Sequence, residues 1–175
     1  MKSVRKDSSM RKTVLTIVIL LMMLGLAGCR KETAVKSVYL AGPFFDDTEI
    51  QNIEYAEKVL SEKGLSYFSP LRYTGKNEYG TSEWAYEIFE TDKAEIEKAD
   101  VVVALNYGNY SDSGTAWECG YAAGIGKPVI LVHTDRNGNS NLMMHCGATT
   151  NIYLDDLAGY DFNTMPVYDY TGKMF

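Results

Sequence analysis

An alternation of two kinds of segment constrains this chain more than any other feature. Short apolar runs, "SVYLAG" (37–42), "DVVVALN" (100–106) and "PVILVH" (128–133), take turns with segments whose apolar residues recur every three or four positions. A run that is apolar without alternating is buried on both faces, as in a parallel sheet covered by helices. "LSYFSP" (65–70) and "NIYL" (151–154) read as two shorter strands. Between them, 47–64 carries Ile50, Ile53, Ala56 and Leu60 at helical spacing with Gly64 as the stop, and 82–99 reads as a second helix. A third starts among Ser111, Asp112 and Ser113 and stops at Gly124, Gly126 and Pro128; "LMMHCG" (142–147) is a short helical piece. The expected fold over 37–175 is a single doubly wound α/β domain, a flavodoxin-like parallel five-stranded sheet with helices on both faces.

Residues 1–28 are of another kind. Five Lys/Arg and one Asp precede the apolar run "TVLTIVILLMMLGLAG", which ends in small residues at Cys29. This is the layout of a secretory signal peptide, and "LAGC" resembles the bacterial lipoprotein signal, in which the cysteine becomes the lipidated first mature residue. A retained membrane anchor is the alternative. The expectation is therefore a leader (1–28), a short linker (29–36) and an extracytoplasmic domain held at the bacterial cell membrane through Cys29.

Without the leader the chain has 12 basic and 22 acidic residues, a net charge of about −10. That balance argues against a nucleic acid polymer as partner and leaves no polybasic patch for anionic lipid. Cys119 and Cys146 have no framework spacing and read as buried free thiols; His133 and His145 lack metal-ligand spacing and read as structural, so no metal is expected.

In doubly wound sheets ligands bind beyond the carboxyl ends of the strands. The segments there, "AGPFFDD", the 73–82 loop, "NYGNYSDSG" and "HTDRNGNSN", are rich in Asp, Asn, Gly and aromatics and short of Lys and Arg. They suit a neutral, flat, hydrogen-bonding ligand. No dinucleotide fingerprint follows the first strand and no "GK[ST]" occurs, so neither a dinucleotide nor a nucleoside triphosphate is expected.

Two acids stand out. Asp92 lies on the stripe Ala85, Ile88, Phe89, Ile96 and Ala99 of the 82–99 helix, either as a helix-to-loop hydrogen bond or as a working acid. The other acids of that helix, Glu83, Glu87, Glu90, Glu95 and Glu97, read as solvent-facing. Glu118 sits one turn into a helix of Ala, Gly and Cys, where the helix dipole favours the anion and burial opposes it. It is either a dipole-complementing charge or a poorly hydrated nucleophile. Asp112 and Tyr39 can converge on the same sheet edge, and several carboxylates beside a tyrosine point toward glycosyl chemistry.

"VYLAGPFF", "FETDKAEIEKADVVVAL", "SDSGTAWECGYAAGIGKPVILV" and "NSNLMMHCGATTNI", in this order and spacing, resemble the nucleoside 2-deoxyribosyltransferase family from Val38 to the C-terminus. The resemblance implies transfer of 2-deoxyribose between nucleobases through an ester on Glu118, with slow hydrolysis as a side reaction and no cofactor. It implies that Tyr39 holds that nucleophile, and that Asp92 and Asp112 contact the base and assist its protonation or sugar binding. Phe44 and Phe45 would form an aromatic wall, and Asn141, with Met143 beside it, would reach the 5′-hydroxyl from a neighbouring subunit. Substrates would be 2′-deoxynucleosides and free nucleobases, and the assembly a homo-oligomer, a dimer or a hexamer. The leader departs from the family's ordinary cytoplasmic setting, and "AGPFF" from its more Gly-rich form. The alternatives are a 2′-deoxynucleoside 5′-monophosphate N-glycosidase, whose 5′ side needs phosphate donors where "SNLMMHCG" stands here, and a non-catalytic nucleoside-binding lipoprotein.

Overall fold

Strand β1 (Ser37–Ala41) opens the domain and shows how the sheet is layered. Val38 and Leu40 pack on one face while Tyr39 and Ala41 pack on the other, and all four are buried. The structure, a computed structural model, describes residues 34–175. The leader, Cys29 and linker residues 29–33 lie outside the described residues. Helix α1 (Asp47–Glu62) follows, then β2 (Ser66–Phe68), α2 (Ser82–Lys98), β3 (Val101–Asn106), α3 (Ser113–Gly124) and β4 (Val129–His133). A two-residue β5 (Asn139–Ser140), α4 (Leu142–Gly147), β6 (Thr150–Tyr153) and a two-residue β7 (Lys173–Met174) complete the order.

The main sheet runs β2-β1-β3-β4-β6 with every pairing parallel. The first four strands of this order follow the flavodoxin arrangement, which reverses direction between β1 and β3. β3 and β4 are buried at every position, which is why their sequences are continuously apolar. α1 covers one face through Ile53, Ala56, Val59 and Leu60, joined by Leu157, Tyr160 and Phe162 from the C-terminal segment. α2, α3 and α4 cover the other through Ile96, Cys119, Ala122 and Met144. Among the described residues no helix is long and apolar enough to cross a membrane.

Local chemistry fixes the helix starts. Asp46 caps α1 by accepting from the N–H groups of Thr48 and Glu49 at 2.8 and 2.9 Å, and Glu49 reaches back to the Phe45 N–H at 2.7 Å. Of the three candidates at the start of α3, Asp112 is the cap: one carboxylate oxygen accepts from the Thr115 N–H at 2.7 Å and its hydroxyl at 2.9 Å. α3 continues through Gly124 and stops at Gly126, whose φ of +77° suits a residue without Cβ.

Three expectations need correction. The α2 stripe is buried only at its C-terminal end, at Ile96 and the cap Ala99; Ala85 is exposed and Phe89 packs on Trp117 at the surface. The N-terminal half of α2 borders a cavity instead of the core. Glu87 turns toward the 73–81 loop, where it collects hydrogen bonds. Both thiols are free, but only Cys119 is buried; Cys146 is exposed, two positions after the buried Met144 and so on the opposite side of α4.

Candidate active site

At the carboxyl end of β1, near the reversal of strand order, a cavity of about 550 Å³ opens between the Gly42–Phe45 turn, α2, the 73–79 loop and the first turns of α3. Gly42 makes the turn possible. A Cβ there would stand 2.9 Å from Ile53 Cδ1 and 3.2 Å from Leu105 Cβ, so a side chain would press on both of these core residues. Phe44 and Phe45, stacked with ring centroids 5.7 Å apart, form one wall, and Phe45 is mostly exposed. Tyr73, Tyr79 and Trp84 supply further aromatic lining.

Three carboxylates meet in this cavity: Asp92 from α2, Asp112 from the cap of α3 and Glu118 from its second turn. The Tyr39 hydroxyl rises from β1 and donates to Glu118 Oε1 at 2.6 Å, at the short end of O–H···O geometry. Tyr39 has no exposed surface, and its ring stacks on Phe68 at 5.7 Å, so the hydroxyl is aimed by the sheet. Burial, with Glu118 and Asp92 close by, holds the phenol far above its usual range, so it donates and does not ionise. Burial pushes Glu118 up to about 8; the Tyr39 hydrogen bond pulls it down, and the charges of Asp92 and Asp112 add to the rise. Asp92 is pushed up to about 6 by burial. Its Oδ1 is enclosed and has no hydrogen-bond partner. A buried oxygen without a partner is costly unless a ligand completes it. The helix-to-loop hydrogen bond expected as the structural alternative does not form at that oxygen.

Asn141 and Met143 are elsewhere. Asn141 caps α4, accepting from the Met143 N–H at 2.9 Å, and both line a separate hollow of about 460 Å³ between α3 and α4. Within one chain they do not border the Glu118 cavity; Met143 is three-quarters exposed and Leu142 nearly half. Cys119 faces the core, and burial beside Glu118 drives its thiol up to about 12, so it is no nucleophile. His133 is enclosed by Asn106 (3.1 Å) and Asn151 (3.0 Å), and the His145 ring bonds the same Asn151 oxygen at 3.1 Å. Both rings are thus held in a polar network at the carboxyl ends of β3 and β4, joined to Asn151 of β6.

Sequence reasoning did not single out Gly42, Tyr73, Tyr79 or Trp84, and it read Glu87 as solvent-facing. A Gly-Pro break after the first strand was the available signal for Gly42. For the loop aromatics the signal was only their place beyond a strand's carboxyl end, since nothing local says which side of a loop faces a cavity.

A sequence profile of the family described as nucleoside 2-deoxyribosyltransferase matches residues 38–165. A nucleoside deoxyribosyltransferase of Lactobacillus johnsonii is 33% identical over 95 residues, 53% of this chain and 64% of that protein, so the matched stretch spans less than two thirds of the relative. A solved 2-deoxyribosyltransferase of Bacillus psychrosaccharolyticus superposes with a TM-score of 0.71 at 34% identity, covering 77% of this chain and 98% of that one. A conserved protein of Enterococcus faecalis V583 shares the fold, with a TM-score of 0.62 at 22% identity over 75% of this chain and 99% of its own.

Proposed function

The chain belongs to the nucleoside 2-deoxyribosyltransferase family, and we propose that it moves the 2-deoxyribosyl group of 2′-deoxynucleosides from one nucleobase to another through an ester on Glu118. The observation that carries this reading is the Tyr39–Glu118 hydrogen bond of 2.6 Å, inside an aromatic cavity that also holds Asp92. A carboxylate oxygen of Glu118 bonds to C1′ as the bond from C1′ to the base nitrogen breaks, both electrons leaving with the base. Protonated Asp92, pushed up to about 6 by burial, gives the departing base its proton. The developing positive charge at C1′ lies against an anion that stabilises it and then traps it. An incoming base attacks C1′ through a ring nitrogen, the ester electrons return to Glu118, and Asp92 takes up the spare proton. Phe44 and Phe45 stack on the flat base, and Asp112 holds the base or the sugar hydroxyls.

The named cavity walls carry three carboxylates and no Lys, Arg or His. A wall without a cation to pair a phosphate favours a neutral nucleoside over its 5′-monophosphate. Asn141 and Met143 belong, in this reading, to the sugar site of a neighbouring subunit in a homo-oligomer. Exposed Leu142 and Met143 beside Asn141 are suited to such a contact. The leader sequence supports a domain held outside the cytoplasmic membrane by a lipid on Cys29; the mature N-terminus should then carry a lipid mass on Cys29 that Cys29→Ser lacks.

Thymidine mixed with adenine should yield deoxyadenosine and thymine. A deoxynucleoside without acceptor should leave a deoxyribosyl adduct on Glu118 detectable by mass spectrometry, absent in Glu118→Ala. Binding of nucleosides without any exchange would replace the enzyme reading with that of a binding lipoprotein, and turnover confined to 5′-monophosphates would replace the substrate.

A further inference from the structure

The side chain of Glu87 stands outside the reacting group of carboxylates, yet it gathers more hydrogen bonds than any of them. It accepts from the Tyr73 hydroxyl at 2.8 Å, the Lys76 N–H at 2.9 and 3.0 Å, the Asn77 N–H at 3.0 Å and the Asn77 side-chain amide at 2.7 Å. All of these donors lie on the 73–81 loop, whose Tyr73, Thr74 and Tyr79 form the outer wall of the cavity. The same helix secures the loop a second time. Trp84 donates its indole N–H to the Thr74 carbonyl at 3.1 Å and packs on Tyr79 with centroids 4.7 Å apart. At Gly75, φ is +76° and a Cβ would stand 3.1 Å from the Trp84 ring, so the loop lies close against the helix where a side chain would separate them. The loop has no regular secondary structure, and its inward-facing donors converge on this one carboxylate.

We propose that Glu87 is a positioning residue: it ties the 73–81 loop to α2 as the cavity wall and thereby shields the sugar ester on Glu118 from water. The proposal rests on the transferase reading above. The ester has two fates. Either a base attacks C1′, or water adds its oxygen to C1′, the ester bond breaks with its electrons returning to Glu118, and Asp92 takes a water proton. A wall that stays closed favours the first fate by excluding the second nucleophile. The N–H donors hold the Glu87 carboxyl down at about 2, the Lys76 N–H contributing most and the Tyr73 hydroxyl next, so the clasp stays ionised throughout the neutral range.

Glu87→Gln is the discriminating change. The amide keeps the size and one acceptor oxygen, but its NH2 group faces donors that then have no acceptor. The ratio of hydrolysis to transfer should rise about three- to tenfold, and KM for the deoxynucleoside should rise with it. kcat for transfer at saturating acceptor should change less than about twofold. Trypsin cleavage of the Lys76–Asn77 bond, followed by mass, should accelerate about tenfold, which reads the loop independently of activity. Asn77→Ala removes one donor from the exposed loop without touching α2, and should give a smaller shift in the same direction if Glu87→Gln folds poorly. An earlier melt with an unchanged hydrolysis ratio and KM makes Glu87 merely structural and overturns the proposal. If the wild type transfers nothing, the transferase reading fails, whereas the clasp still stands or falls on the trypsin rate.

Discussion

Removing one oxygen, in Tyr39→Phe, tests the electrostatic logic of the site. The ring remains stacked on Phe68 and the residue remains fully enclosed, so stability should change little. Glu118 loses the one partner that holds its carboxyl down, at about 8, against the burial that pushes it up. A hydrogen bond to a charged group contributes about 1.5–3 kcal/mol, equivalent to a rise of about 1–2 pH units. Glu118 titrates near 8 and Asp92 near 6, so the productive form, with Glu118 ionised and Asp92 protonated, is a minority of the singly protonated pair. The rate is then flat between the two values and falls beyond both, the alkaline limb belonging to Glu118. Raising Glu118 lowers the plateau in proportion and carries the alkaline limb upward. In a profile of kcat/KM for thymidine–adenine exchange from pH 5 to 10, the plateau should drop about 10- to 100-fold. The alkaline limb should move up by about 1–2 units, so that the two proteins converge at the highest pH. A lower plateau with an unmoved alkaline limb would show that Tyr39 acts by position alone, and an unchanged profile would remove it from the mechanism.

Asp92→Asn should slow base departure on the order of 10²-fold, most for the poorest leaving bases, with its melting temperature close to wild type; normal transfer with an early melt would make Asp92 structural. Gly42→Ala should cost about 1–3 kcal/mol, seen as a melting temperature lower by roughly 3–10 °C, because its Cβ would press on Ile53 and Leu105; an unchanged melt would refute the packing argument. Inactive Glu118→Ala mixed with inactive Asn141→Ala should recover part of the activity, since some mixed sites would hold both intact halves. No rescue where subunits demonstrably exchange, or an active monomer in sedimentation, would defeat the shared-site reading.

The amino-acid sequence determined the architecture by itself. Runs such as Val101–Asn106 and Val129–His133 are apolar on both sides, and only a strand covered above and below accommodates them. Helix punctuation was equally local: Asp112 before Thr115 and Gly126 before Pro128 carry their own stereochemistry. Glu118 was visible as an anomaly, an acid in a helix otherwise built of small residues. What tertiary structure alone decided is which groups meet. Tyr39 and Glu118 stand 79 residues apart, and their bond exists because β1 and α3 converge at one edge of the sheet. The α2 periodicity predicted a buried stripe through Phe89, yet half of that face borders a cavity, since periodicity reports a common side and not what lies opposite. Glu87 was unreadable for the same reason. Its spacing is that of a solvated acid, and half of its partners are backbone N–H groups of a loop, which no side-chain pattern encodes.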